Sequence, residues 1–171
     1  MALELRNRDA IVARLRDNRD DLYIMSMPPD DIELEKHAFL PNPLVVIAPE
    51  THPLAGRRKL KLSQLAQERF IMRERGSGTR MASDAHFAEQ GFVPLVRLEL
   101  GSNEAIKQSV AAGMGLAVMS RHALAADVTQ DQLAILNLTG FPIQSRWWTL
   151  YPKGRRLSPV ASVFLEHIER T

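Results

Sequence analysis

Apolar positions along the chain recur with two periods, and the switches between them outline a succession of strands and helices. Leu3 and Leu5 alternate with Glu4 and Arg6 as in a strand with one buried face, and Ile11, Val12 and Leu15 then form a helical stripe opposite Arg8, Arg14 and Arg16. Asn7 stands where it can cap that helix. Leu22-Tyr23-Ile24-Met25 reads as a strand, Ser26 to Asp31 as a loop broken by two prolines, and Ile32 to Lys36 as an alternating strand. Leu44 to Ala48 is apolar throughout, which predicts a strand buried on both faces and neighbouring the previous one. Ser63 is placed to cap a short helix through Leu65 and Ala66. Phe70-Ile71-Met72 predicts a strand, and the loop from Arg73 to Arg80 leads into a helix that runs to about Gln90 and stops at Gly91. Val96 to Leu100 alternates, Ser102 or Asn103 can cap a helix carrying Glu104 in its first turn, Gly113 can close it, and Leu116 to Met119 is a buried strand. Leu133 to Leu136 and Gln144 to Tyr151 are the last strands. Ser158 and Pro159 then open a terminal helix with Val160, Val163, Phe164, His167 and Ile168 on its apolar stripe. Two β-α-β units separated by a proline-rich connection predict an α/β fold of two Rossmann-like lobes, lobe one over about 1–70 and 142–171 and lobe two over about 71–141.

Composition narrows the classes. A chain of 171 residues that is 45% hydrophobic can bury a core, and with no cysteine it has neither disulfides nor cysteine-based zinc sites. The run Pro43 to Pro49 is far below the roughly 20 residues of a membrane span, and charges stand where a signal peptide would be apolar, so a cytoplasmic setting without membrane contact is expected. The net charge is only +2, which outweighs the basic pI of 9.2 as a guide to nucleic-acid attraction and predicts little of it.

Gly76-Ser77-Gly78-Thr79 superficially resembles a phosphate loop, but Gly78 occupies the place of the lysine that a nucleotide-hydrolysing loop requires. The physical content that survives is a helix start with free N–H groups, hydroxyls on Ser77 and Thr79, and the guanidinium of Arg80, a favourable environment for an anion. Arg73 and Arg75 add to it. The competing reading is a tight turn whose hydroxyls cap the helix. Gly113-Met114-Gly115 follows its helix rather than preceding it and is no dinucleotide fingerprint. His37, His52, His86, His122 and His167 show no metal-ligand spacing, and Ser120 with His122 lacks a nucleophile elbow, so neither metal nor cofactor nor enzyme chemistry is expected. Of the adjacent Trp147 and Trp148, on opposite faces of a strand, one is expected in the core.

The segments Leu44-Val45-Val46-Ile47-Ala48-Pro49, His52-Pro53-Leu54, Leu62-Ser63-Gln64-Leu65, the Gly76 loop with its helix, and Val110-Ala111-Ala112-Gly113-Met114-Gly115-Leu116-Ala117 together resemble the effector-binding domain of LysR-type transcriptional regulators. Glu99 to Gln108, with Arg80 after Gly-Ser-Gly-Thr, resembles more narrowly the regulators of Calvin-cycle (RuBisCO) operons. The resemblance implies a fold like type II periplasmic binding proteins, here N-terminally truncated, and a small anionic, phosphorylated metabolite held in an interlobe cleft to control transcription. Effector contacts carried over by the resemblance are Ser26, Ser77, Gly78, Thr79, Ser102 and Asn103, joining Arg73 and Arg80 from the residues themselves. It further implies a homo-oligomer in the full-length protein, and DNA contact only through an N-terminal domain that this chain lacks. The alternative is a solute-binding protein of a transport system with the same fold.

Overall fold

In the computed structural model, residues 2–126 and 128–170 are described. They form two compact units: one comprises residues up to Pro41, Gly76–Gly78 and the chain from Arg146 onward, the other Asn42–Arg75 and Thr79–Ser145. Residues 42–70, expected with lobe one, thus pack with the second unit, because the strand they contain finds its ladder partners there.

The first unit is built on an antiparallel sheet in the order β1-β8-β2, from β1 (Tyr23–Met25), β2 (Leu34–Pro41) and β8 (Arg146–Pro152). Helix α1 (Arg8–Arg16) begins as the sequence predicts, with Asn7 Oδ1 accepting from the Ala10 N–H at 3.1 Å, and packs Val12 and Leu15 against Tyr23, Met25 and Leu150. Trp148 borders that cluster, and both tryptophans remain half-buried. The alternation of Leu3 and Leu5 does not become a strand. A strand needs a ladder partner, none among the described residues pairs with this segment, and the two side chains are 78% and 83% exposed. Helix α4 (Pro159–Glu169) has Ser158 as its cap, yet it turns Ala161 and Leu165 inward and leaves Val160 and Val163 exposed. Its first two turns are apolar nearly all round, so two stripes about 100° apart compete, and the one containing the small Ala161 packs closest.

In the second unit β4 (Arg69–Arg73) lies parallel to β5 (Leu95–Leu100), and β3 (Leu44–Pro49) lies antiparallel to both β6 (Ala117–Ser120) and β7 (Leu133–Ile135). A parallel bridge from Phe70 to Leu116 joins the two sets, giving the order β5-β4-β6-β3-β7. The β5-α3-β6 crossover therefore straddles β4, with α3 spanning Asn103–Ala111. β3 does not neighbour β2 as its sequence position suggests. It is flanked by strands on both sides, which is why five successive residues of it are buried. Successive residues face opposite layers: Leu44, Val46, Phe70 and Val118 meet Phe87 of α2 (Gly78–Glu89), whereas Val45, Ile47, Ile71 and Met119 meet Ile106 and Val110 of α3. The turn expected to start at Ser63 is a short 3-10 turn, Leu62–Leu65, opened by the Lys61 N–H donating to Gln64 Oε1 at 2.8 Å. Its three-residue repeat buries Leu62 and Leu65 together, which puts its cap at Lys61, two residues before Ser63.

Candidate functional site

The predicted loop is where β4 gives way to α2. The Glu74 N–H still donates to Leu100 O at 3.2 Å, and Gly76 then takes φ +86°, a left-handed conformation that glycine adopts without steric cost. Its carbonyl accepts the Asp9 N–H at 3.1 Å, and a Cβ there would lie 2.7 Å from Asp9 Oδ2. A Cβ on Gly78 would lie 2.8 Å from Ser26 Oγ, so the second glycine is set by a close approach rather than by its dihedrals. The structure thus brings Ser26 against Gly78. Ser77, between the glycines, is 2% exposed, and the Thr79 carbonyl accepts Ser83 Oγ at 2.7 Å within α2. Arg8, opposite the apolar stripe of α1, donates from Nε to Met27 O at 2.6 Å beside this loop, a contact with no local signature.

In the second unit the arginines are already engaged. Arg73 donates from Nε to Glu74 at 2.8 Å and from Nη1 to Asn103 Oδ1 at 3.0 Å, tying the end of β4 to the first residue of α3. Ser102 caps α3, its Oγ accepting from the Ala105 N–H at 3.3 Å, so its hydroxyl already has a structural duty. Arg80 donates from Nε to Asp84 at 2.8 Å, and from Nη1 to Arg73 O and Glu99 Oε2, both at 2.9 Å. Glu99 Oε1 accepts the Arg75 N–H at 3.2 Å. Its hydrogen bond from Arg80, then that from Arg75, holds the Glu99 carboxyl below its ordinary pKa. Burial acts to lower the Arg80 pKa, but the bonds to Glu99 and Asp84 outweigh it and leave the group above its ordinary value. The carboxylates were missed in the sequence. Asp84 could have been found from its i, i+4 spacing to Arg80, but Glu99 meets Arg80 only because β5 lies beside β4.

Ser120 and His122 form no catalytic pair: Ser120 Oγ donates to Asn42 Oδ1 at 2.6 Å and accepts the His122 N–H at 3.2 Å, which makes it a turn cap. A cavity of about 450 Å³ lies along β5, lined by Arg69, Pro94, Leu95, Val96 and Arg97, and holds none of the candidate residues. Among the described residues no helix is long and apolar enough to cross a membrane.

Residues 1–171 match the family described as LysR substrate binding domain. The chain is 44% identical over 168 residues to a RuBisCO operon transcriptional regulator of Allochromatium vinosum, covering 98% of this chain and 56% of that protein. It is also 44% identical to the HTH-type transcriptional activator CmpR of Synechocystis sp., over 98% of this chain and 55% of the relative. The chain therefore spans about half the length of these relatives. Among solved structures, the Synechocystis PCC6803 CcmR regulatory domain in complex with 2-PG is 46% identical, with a TM-score of 0.95 over 99% of this chain and 81% of that one. The effector binding domain of QuiR in complex with shikimate shares the fold at 22% identity and a TM-score of 0.84, over 96% and 77% of the two chains.

Proposed function

Because the chain belongs to the LysR substrate-binding domain family, we propose that it is the ligand-sensing part of a transcriptional regulator and that its ligand is a small phosphorylated metabolite. The observation that carries this reading is the likeness to a regulatory domain, 46% identical, described in complex with 2-PG. The residues agree with it. Within the second unit, Thr79 lies in the first turn of α2, Ser102 and Asn103 open α3, and Arg73 links the end of β4 to Asn103, groups suited to donate to phosphate oxygens. In this reading the ligand biases a homo-oligomeric regulator that contacts DNA through a separate domain, and the chain performs no catalysis. None of the relatives named above is a transport protein, so the solute-binding alternative is not carried forward.

The test is a titration with 2-phosphoglycolate, ribulose bisphosphate and reduced nicotinamide nucleotide, following the melting temperature. At least one phosphorylated ligand raises it in the wild type, and Arg80→Gln weakens binding by roughly 1.5 kcal/mol or more, about tenfold, if the contact is direct. Unchanged affinity in Arg80→Gln would reduce the loop to a structural turn. Absence of any shift with all three ligands would remove the RuBisCO-type reading.

A further inference from the structure

We propose that Glu99 is a built-in competitor for Arg80, occupying the place of a ligand anion and making the loop selective for phosphorylated over purely carboxylate ligands. This rests on the reading that the loop takes an anion. The two oxygens of Glu99 accept from two different kinds of donor. Oε2 takes the guanidinium Nη1 of Arg80 at 2.9 Å, and Oε1 takes the backbone N–H of Arg75 in the loop itself at 3.2 Å. One guanidinium N–H plus a loop N–H is a donor pair of the kind that phosphate oxygens use in phosphate-binding loops. Glu99 is thus already bound as an anion by the groups that the ligand needs.

The local charges balance in the same way. Arg73 pairs with Glu74 and Arg80 with both Asp84 and Glu99, so these two guanidiniums already face three carboxylates and an anion arriving at Arg80 gains net attraction only by replacing one of them. Glu74 is the most enclosed of them, at 24% exposed, and Asp84 sits one helical turn from Arg80 on the same helix. Glu99 comes from a different element, the edge strand β5, and its side chain is 41% exposed against 13% for Arg80. Once released it returns to water at little cost, whereas the enclosed guanidinium requires a partner.

Selectivity follows from what takes its place. A ligand carboxylate exchanges one set of N–H···O contacts for an equivalent one and gains little. A phosphate monoester brings a charge of about −1.5 to −2 and three acceptor oxygens, so it can satisfy Arg80 and the Arg75 N–H together with a hydroxyl of the loop. Glu99 therefore sets a threshold that dianionic phosphoryl groups pass and simple carboxylates do not.

The experiment compares the 171-residue chain with Glu99→Gln, which keeps a carbonyl oxygen for the Arg75 N–H and removes the charge, using 2-phosphoglycolate and malonate as probes in calorimetric titrations. Glu99→Gln is expected to bind 2-phosphoglycolate about three- to tenfold more tightly. Malonate affinity rises by a larger factor, so the preference for phosphate narrows. In an Arg80→Gln background the Glu99 substitution has no such effect, since the competition is for that guanidinium. Should Glu99→Gln fail to fold, Glu99→Asp serves: its shorter reach loosens the Arg80 contact while keeping the charge, and it too binds more tightly than wild type. If the wild type binds 2-phosphoglycolate and these variants bind it equally or more weakly, Glu99 is a structural anchor and the proposal is overturned while the anion-loop reading stands. If neither wild type nor variant binds either probe, both fall.

Discussion

Arg14 donates from Nε to Asp20 Oδ2 at 2.8 Å on the first unit, and the backbone N–H of Asp20 donates in turn to Tyr23 Oη at 2.9 Å. The hydrogen bond from Arg14 holds the Asp20 carboxyl below its ordinary pKa. Folding therefore favours the ionised form, and the contribution is fully present above the unfolded value of about 3.9 and disappears as pH falls through the lower folded value. Asp20→Asn is expected to cost about 1 kcal/mol near neutral pH, with both groups about a quarter exposed. Urea unfolding of both proteins from about pH 7 down to about pH 2 should show the difference shrinking, and a constant difference would assign the effect to packing. Mixed arginines and aspartates on α1 are visible in the sequence as a charged helix face. The particular pairing is not, because Asp20 lies beyond the helix end and is brought back by the turn through Asn18, whose φ is +54°.

At the scale of elements, caps were readable and faces less so. Asn7, Ser102 and Ser158 each accept a backbone N–H three residues on, a bond that closes within one turn and needs nothing from the rest of the chain. The apolar face of α4 is decided by what lies beneath it. The stripe Val160, Val163, Phe164, His167, Ile168 and the stripe through Ala161 and Leu165 are both apolar enough to bury, and the latter is the one that is buried, with Glu169 meeting His37 Nδ1 of β2 at 2.8 Å at the helix end. Leu165→Ala should accordingly destabilise by about 2–3 kcal/mol, since the side chain is 8% exposed. Val163→Ala, at 67% exposed, should change stability by no more than about 0.5 kcal/mol. Denaturant midpoints of the two variants check this directly, and the reverse order would restore the stripe expected from periodicity.

For the molecule as a whole, the second unit depends on aromatic packing on one side of its sheet. Phe70 meets Phe87 and Phe92 edge-on, at ring centroid distances of 5.7 and 5.8 Å, and is fully buried. Phe70→Ala should cost about 3–5 kcal/mol and lower amide-exchange protection across β3, β4 and β6 together, because these strands share that layer. Loss of protection confined to β4 would contradict a common layer.

What the sequence determined by itself is the series of elements from Asn7 onward, with caps, glycine stops and doubly buried strands, since each depends on periods and bonds spanning a few residues. Its expectation of an anion-binding loop also drew on local chemistry: glycines, hydroxyls and arginines within eight positions. The tertiary structure alone decided that β3 pairs with β6 and β7, that Leu3 and Leu5 are left without a ladder, and that Glu99 reaches Arg80 across 19 residues of chain. Asn42 and Ser120 meet across 78. The cost of closing a loop rises only slowly with its length, so separation along the chain says little about which distant partner is met. That choice falls to the packing of whole strands and helices, which places Glu99 on Arg80.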